Sequence, residues 1–336
     1  MKRAIALMLA LCMVLALCAC GQQTEAPADS NAESEVATDF PTQPITTIIP
    51  KGAGGVTDTL TRSLISYIEQ DYKDISFVCE NINGASGIVG MTKCALAKPD
   101  GYTICLVPAE LCQLSNIPSY NCAVTLDDYR YVAVISSVPM MLCVRADGEF
   151  DDIYDFIDNY TEDTKIGNAG SLGMGDMAFL AASKTWGKTA TSVPYADGDS
   201  AAITALAADN PEIDAIVCCP SATLDAQIEA GKIKPICSLG KGTAFDAPVV
   251  SELKDGYAVD IDFTTWCCVT VPNDTPDAEY NKLVEIFEKG TTNTQWIEDM
   301  AKMYITTASK CGAEAQEYVE SQYNFYKDFI AELGIE

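Results

Sequence analysis

An α/β fold with enough chain for two lobes follows from three features of the sequence. Strand-like and helix-like segments alternate along the body, which is the signature of α/β architecture. About 300 residues remain behind an apolar leader and a polar stretch, sufficient for two separate cores. Two glycine-rich turns, one in each half, each join a strand to a helix.

The leader begins with Lys2 and Arg3 and continues as an almost unbroken apolar run from Ala4 to Leu17. A helix needs about 20 apolar residues to cross the hydrocarbon, so the run reads as an export signal. It ends in Leu17-Cys18-Ala19-Cys20-Gly21, which is similar to a bacterial lipobox, where the cysteine after a small residue is lipidated and becomes the mature N-terminus. Cys20 fits, behind Ala19 and with Leu17 three positions back, whereas Cys18 would place bulky Leu17 at the cut. Residues 1–20 are therefore expected to be a lipoprotein signal peptide; the plainer alternative is an ordinary cleaved signal with incidental cysteines. Residues 21–37 are small, polar and acidic, and cannot bury enough surface to offset their ordering entropy. They are expected to form a disordered tether reaching on the order of 20–25 Å. The body is thus expected outside the cytoplasm, held to the outer face of the cytoplasmic membrane only through its lipid.

Without Lys2 and Arg3 the 21 basic residues fall to 19, against 48 acidic ones, and the net charge moves from −27 to about −29. A surface this acidic argues against nucleic acid or anionic lipid as a partner. Any anionic ligand must be held by local donors that outcompete the global field. The chain has no histidine, which excludes Ser-His triads, Cys-His dyads and HExxH zinc sites. Twelve cysteines lie beyond Cys20 and none forms a CxxC pair, so neither a metal nor another cofactor is expected. Most sit in apolar strand-like runs and read as buried thiols packing as small hydrophobes, with disulfides left open.

Taken in order, Ile45 to Ile49 is a short apolar strand ending at Pro50. A helix follows from Thr57, with Leu60, Leu64, Ile65 and Ile68 on one face. Ile75 to Cys79 is a strand, Gly87 to Ala97 is helical, and Pro99-Asp100-Gly101 is a turn. Tyr102 to Val107, Tyr131 to Ile135 and Met140 to Val144 read as strands. The middle repeats the theme: helix from Ile153, strand Lys165 to Asn168, helix Met174 to Lys184, strand Thr191 to Pro194, helix Ser200 to Ala208. Strand Ile213 to Cys219, helix Ala222 to Ala230 and strand Lys234 to Leu239 continue it. Thr264 to Val271, β-branched and aromatic, is the last long strand. Tyr280, Leu283, Val284 and Phe287 share a helical stripe with Gly290 as its expected stop. Val319, Tyr323, Tyr326, Ile330 and Leu333 mark a closing amphipathic helix.

The turn Pro50-Lys51-Gly52-Ala53-Gly54-Gly55-Val56-Thr57-Asp58 carries most of the chemistry. Its three glycines let several N–H groups face one point, and the helix N-terminus adds roughly half a positive charge. Together they make an anion cradle, to which Lys51 would add a full charge. The Gly-Lys-Ser/Thr ending of a nucleotide P-loop is absent. Asp58 has two readings, as a helix cap or as a group that organises the cradle or meets ligand through water. A second turn, Asn168 to Asp176, again joins strand to helix and contains Gly170, Ser171 and Gly173. One such turn in each half would clamp a molecule from opposite sides.

The runs QPITTIIPKGAGGVTD, ENINGASGIVG and AKPDGYT, followed by Val193-Pro194-Tyr195 and Ala230-Gly231-Lys232-Ile233, give the chain a recognisable pattern. In order and spacing it resembles the solute-binding proteins of tripartite tricarboxylate transporters, often called Bug proteins, from Phe40 to the C-terminus. The resemblance implies a two-lobed periplasmic-binding-protein-like fold of type II with two crossover strands and the ligand in the interlobe cleft. Lobe one would be 38–142 plus 267–336 and lobe two 143–266, with crossings near 139–144 and 264–271. It implies a carboxylate held largely by backbone amides and water, with Gly54, Gly55, Thr57 and Asp58 in the first loop and Gly170, Ser171 and Gly173 in the second. It also implies a two-component membrane permease as partner, a monomeric receptor and no catalysis.

The sequence departs from that family where Gly175 and Asp176 replace a serine or threonine and a following histidine, and where Pro108-Ala109-Glu110 replaces a small turn. If Glu110 and Asp176 face the cleft they repel a second carboxylate or accept an ammonium group, which favours a monocarboxylate or an amino-acid-like ligand. If they face solvent or cap helices they carry no specificity. Tyr195 and Trp266 would line the cleft or be ordinary core. A sensory receptor for a membrane kinase, a carboxylate-using enzyme and a surface adhesin are the alternative functions.

Overall fold

A computed structural model describes residues 39–334 apart from 119–121, 196, 243 and 304; the expected signal peptide, tether and Cys20 lie outside the described residues. The apolar run after Pro44 forms β1 (Ile45–Ile49), paired in parallel with β2 (Phe77–Asn81) and β3 (Thr103–Pro108). β4 (Tyr129–Pro139), β10 (Thr264–Pro272) and β11 (Thr307–Cys311) complete this sheet antiparallel, in the order β11-β4-β10-β3-β1-β2. A second sheet joins β5 (Met141–Arg145), β6 (Lys165–Asn168), β7 (Thr191–Pro194), β8 (Ala215–Cys218) and β9 (Ile233–Ser238) in the order β7-β6-β8-β5-β9.

Met140 alone separates β4 from β5, so the chain leaves one sheet for the other within a single residue. It returns through the connection between Ser238 and Thr264. The two passages are tied together: the Met140 amide donates to the Phe263 carbonyl at 2.9 Å, and the Leu239 amide donates to the Met140 carbonyl at 2.8 Å.

Strand alternation sorts side chains to opposite faces. In β3, Ile104 and Leu106 face the core shared with α1 (Val56–Asp71), α8 (Asp277–Thr291) and α9 (Thr294–Ala301). Cys105 and Val107 face the opposite core, with α2 (Ile88–Ala95) and α10 (Ala313–Leu333). That second core continues into the other sheet through Leu142, Val144 and Val217, covered by α4 (Ile153–Asn159) and α5 (Met174–Trp186). Cys143, Ile216 and Cys218 face a third core with α6 (Asp199–Leu206) and α7 (Ala222–Glu229). The twelve described cysteines are free thiols, eight of them buried. Among the described residues no helix is long and apolar enough to cross a membrane.

Three elements escape the sequence pattern: the short helix α3 (Glu110–Leu114), α9, and the polar edge strand β11. Helix α8 ends at Thr291, one residue beyond Gly290, which lacks the left-handed φ of a capping glycine. Gly290 is buried, and a Cβ there would lie 2.5 Å from Ile68 Cγ1 and 3.1 Å from Leu64 Cδ1, so its missing side chain lets α8 approach α1. Replacing Gly290 by Val is expected to lower stability in urea unfolding by about 1–3 kcal/mol through overpacking, outweighing the small gain in helix propensity.

Candidate ligand-binding site

The first glycine-rich turn leaves β1 and enters α1 as the sequence pattern predicts. Gly54 takes φ +78°, a conformation that side chains disfavour. Its amide donates to Asp58 Oδ2 at 2.9 Å, and Gly55 N–H donates to the Gly52 carbonyl at 3.4 Å. Asp58 Oδ1 accepts from Arg62 Nε at 2.8 Å and from Asn81 Nδ2 at 2.8 Å, while Asn81 also reaches the Lys51 carbonyl at 3.2 Å. Both Asp58 oxygens are therefore engaged within the loop. Burial pushes this carboxyl up, but the Gly54 amide, Asn81 and Arg62 together outweigh it and hold it below the ordinary value of 3.8. Gly55 occupies the N-cap of α1 and no side chain caps that end. The start of the loop is held by close packing. A Cβ on Gly90 of α2 would lie 2.7 Å from the Ile82 carbonyl and 3.0 Å from Pro50 Cβ.

The second turn, between β6 and α5, has the same construction. Leu172 takes φ +54° where the first loop has Gly54, and its amide donates to Asp176 Oδ2 at 2.8 Å, again four residues ahead. Gly173 N–H donates to the Gly170 carbonyl at 3.0 Å. Asp176 Oδ1 accepts from Ser192 Oγ at 2.6 Å and from Asn168 Nδ2 at 3.3 Å, and Asn168 Oδ1 accepts from the Gly170 amide at 3.0 Å. Gly173 is the N-cap of α5, also without a side-chain cap. Each loop thus leaves first-turn amides of a helix uncapped by any side chain, which is an anion-binding arrangement.

Helix α3 joins the two loops. At its start Glu110 Oε1 accepts from Lys51 Nζ at 2.8 Å, and three residues on, buried Gln113 donates through Nε2 to the Leu172 carbonyl. Lys51, expected as a free charge for the anion, is thereby paired with Glu110. Thr57 Oγ1 approaches Cys267 Sγ on β10 at 3.8 Å. Asp58 and Asp176 hold the loops rather than presenting open oxygens. Tyr195 follows the second pattern only in its backbone, whose amide donates to the Asn168 carbonyl at 2.8 Å. Its ring packs beside Gly167 in the third core. Trp266 is core, edge-on to Tyr318 with ring centroids 6.1 Å apart. Sequence reasoning assigns no role to Arg62, Asn81, Asn168, Ser192 or Gln113, although Asn81 stands in the run ENINGASGIVG and Asn168 opens the second glycine-rich turn.

Asp58→Ala removes the acceptor for three donors and is expected to cost about 1–3 kcal/mol in urea unfolding at pH 7. Because the folded-state pKa lies below 3.8, the stabilisation is fully present above that value and is lost as pH falls through the folded pKa. The gap between wild type and variant should therefore narrow in acid; a constant gap down to pH 2 would contradict this account of the loop.

Comparisons with known proteins bear on the fold and the family. A UPF0065 protein of Bordetella pertussis is 26% identical over 309 residues, covering 91% of this chain and 94% of its own. The crystal structure of a TctC solute binding protein from Polaromonas, without ligand, has a TM-score of 0.76 at 24% identity, over 87% of this chain and 99% of that one. MatC from Rhodopseudomonas palustris, with bound malate, has a TM-score of 0.65 at 20% identity, over 87% and 100%. These likenesses show the two-lobed fold of periplasmic binding proteins. Residues 72–335 match the model of the tripartite tricarboxylate transporter family receptor, and the chain belongs to that family, whose members bind solutes and are not enzymes.

Proposed function

We propose that the protein is a lipid-anchored receptor that captures a small organic carboxylate between its lobes and presents it to a two-component permease. The observation that carries this reading is the pair of matching loops. Each is fixed by an aspartate four residues ahead, each ends at an uncapped helix N-terminus, and both touch α3. Backbone amides at such ends hold an anion without unpaired cationic side chains, which suits a body of strong negative charge. MatC, which shares the fold, holds malate, a carboxylate. Capture works by closure: the lobes, each carrying one sheet, turn about the hydrogen-bonded passages at Met140, Leu239 and Phe263. Ligand selects the closed form only through contacts made better there, so amides from both loops must take part. The lipobox-like run around Cys20 supplies the anchor.

A thermal-shift screen of mono-, di- and tricarboxylates, amino acids and aromatic acids tests the binding. A ligand at a hundredfold its Kd adds about 2.7 kcal/mol and should raise Tm by several degrees. Gly54 and Gly170 have φ +78° and +143° with open space beyond them, so Val at both positions distorts the loops without touching the core. The double variant should lose the shift; a shift that survives would move the site elsewhere. Replacing Cys20 by Ala should release the protein from the membrane fraction, and persistent membrane association would refute the lipid anchor.

A further inference from the structure

A cavity of about 420 Å³ lies between the two halves of the fold, lined by none of the loop residues. One wall comes from the half that carries the second sheet: Pro220, between β8 and α7, and Phe245, on the connection after β9. The other wall comes from the first half: Ile297 and Ala301 of α9, Ile305, and Thr307 at the start of β11. No charged side chain lines it. Small-molecule sites span about 300–1,000 Å³ and are lined mostly by apolar groups, so the cavity has both the size and the character of one.

Strand register sets this cavity beside the loops. In the first sheet Cys267, which Thr57 of the first loop touches, pairs with Ser136, and Ser136 pairs in turn with Thr307. Neighbouring strands lie about 4.8 Å apart, so Thr307 stands roughly 10 Å from Cys267 across the sheet. The Ser137 amide donates to the Thr306 carbonyl at 3.2 Å and the Ile305 amide to the Met300 carbonyl at 3.0 Å, which fixes this wall to β4 and α9. In the second sheet β6 and β8 are parallel neighbours. The second loop leaves the carboxyl end of β6, and Cys219-Pro220 leaves the carboxyl end of β8. The Cys219 amide donates to Asp199 Oδ2 at 2.9 Å and holds that exit in place. Open α/β sheets take their ligands outside the carboxyl ends of their strands. Each wall of the cavity is therefore displaced by only one or two strands from the loop of its own sheet.

The two arrangements suit different ends of one molecule. The loops offer uncapped amides to a carboxylate. The cavity offers mostly apolar surface and no charge, so a second carboxylate placed there would lose its hydration without a partner. A hydrocarbon or aryl group placed there leaves water favourably and covers the exposed Ile297.

We propose that this cavity determines the specificity of the cleft, and that the ligand is a monocarboxylate with an apolar tail: the carboxylate rests on the loop amides and the tail lies between α9 and Phe245. This rests on the receptor reading above and narrows it to one ligand class.

The test is calorimetric titration of the full chain with straight-chain monocarboxylates from acetate to octanoate, with 4-phenylbutyrate, and with the dicarboxylates of equal carbon number. Affinity should rise about fourfold per added methylene until the cavity is filled, and each dicarboxylate should bind at least tenfold more weakly than the monocarboxylate of its length. Ile297→Glu and Ala301→Trp, both at exposed positions of α9, should each weaken octanoate at least tenfold while the ligand-free chain melts as wild type does. Affinity independent of tail length, dicarboxylates bound as tightly as monocarboxylates, no monocarboxylate bound at all, or wild-type affinity in both variants would each overturn the proposal. So would a ligand-free dimer that Ile297→Glu dissociates, which would give this surface to a second copy of the chain. If acids bind regardless of tail length and the Gly54/Gly170 double variant abolishes that binding, only the apolar assignment falls. If the double variant leaves binding intact, the loop site itself falls.

Discussion

The arrangement depends on one local constraint, a carboxylate in the first turn of a helix that accepts the backbone amide four residues behind it. Asp58 does this for Gly54 and Asp176 for Leu172, each at the third residue of its helix. Drawing that amide back bends the loop over the helix end and leaves a glycine at the N-cap, where an ordinary helix would place serine, threonine or aspartate. The negative charge this introduces is opposed in the first loop by Arg62 and spread over three neutral donors in the second. The partial positive charge of the helix ends is thus not simply cancelled.

Packing behind the loops is as restrictive as bonding within them. Gly90 lets α2 approach Pro50 at the start of the first loop, and Gly175 does the same for α5, where a Cβ would lie 2.5 Å from the Val217 carbonyl. Backbone atoms cannot yield as a flexible side chain can. The glycines outside the turns therefore matter as much to loop position as those inside them. The core shared by the two sheets, together with the paired passages at Met140 and Phe263, fixes one side of the molecule.

Much of this was legible in the sequence because it is periodic. Apolar spacing marked α1, α8 and α10, and the strands Lys165–Asn168 and Thr191–Pro194 match the structure residue for residue. The glycine-rich turns were visible because their composition is unusual. The rest depends on distance in space rather than in sequence. Asn81 meets Asp58 across 23 residues and Gln113 meets Leu172 across 59, and no local pattern announces either contact. Helix α3 is too short to show a period, and β11 is a polar edge strand.

The closing helix α10 has a mechanical consequence. Near its start Tyr318 lies against Trp266 of the first sheet and Val319 against Cys112 of α3; further on Tyr326 reaches Met174 of α5, and Glu332 pairs with Lys184 at 2.9 Å. Its 21 residues make a rod roughly 31 Å long that is fastened to both halves. A rod fixed at two points does not allow a free swing. Under the closure proposed above, opening would have to slide one set of fastenings along it, and the C-terminal turns would then act as a travel stop.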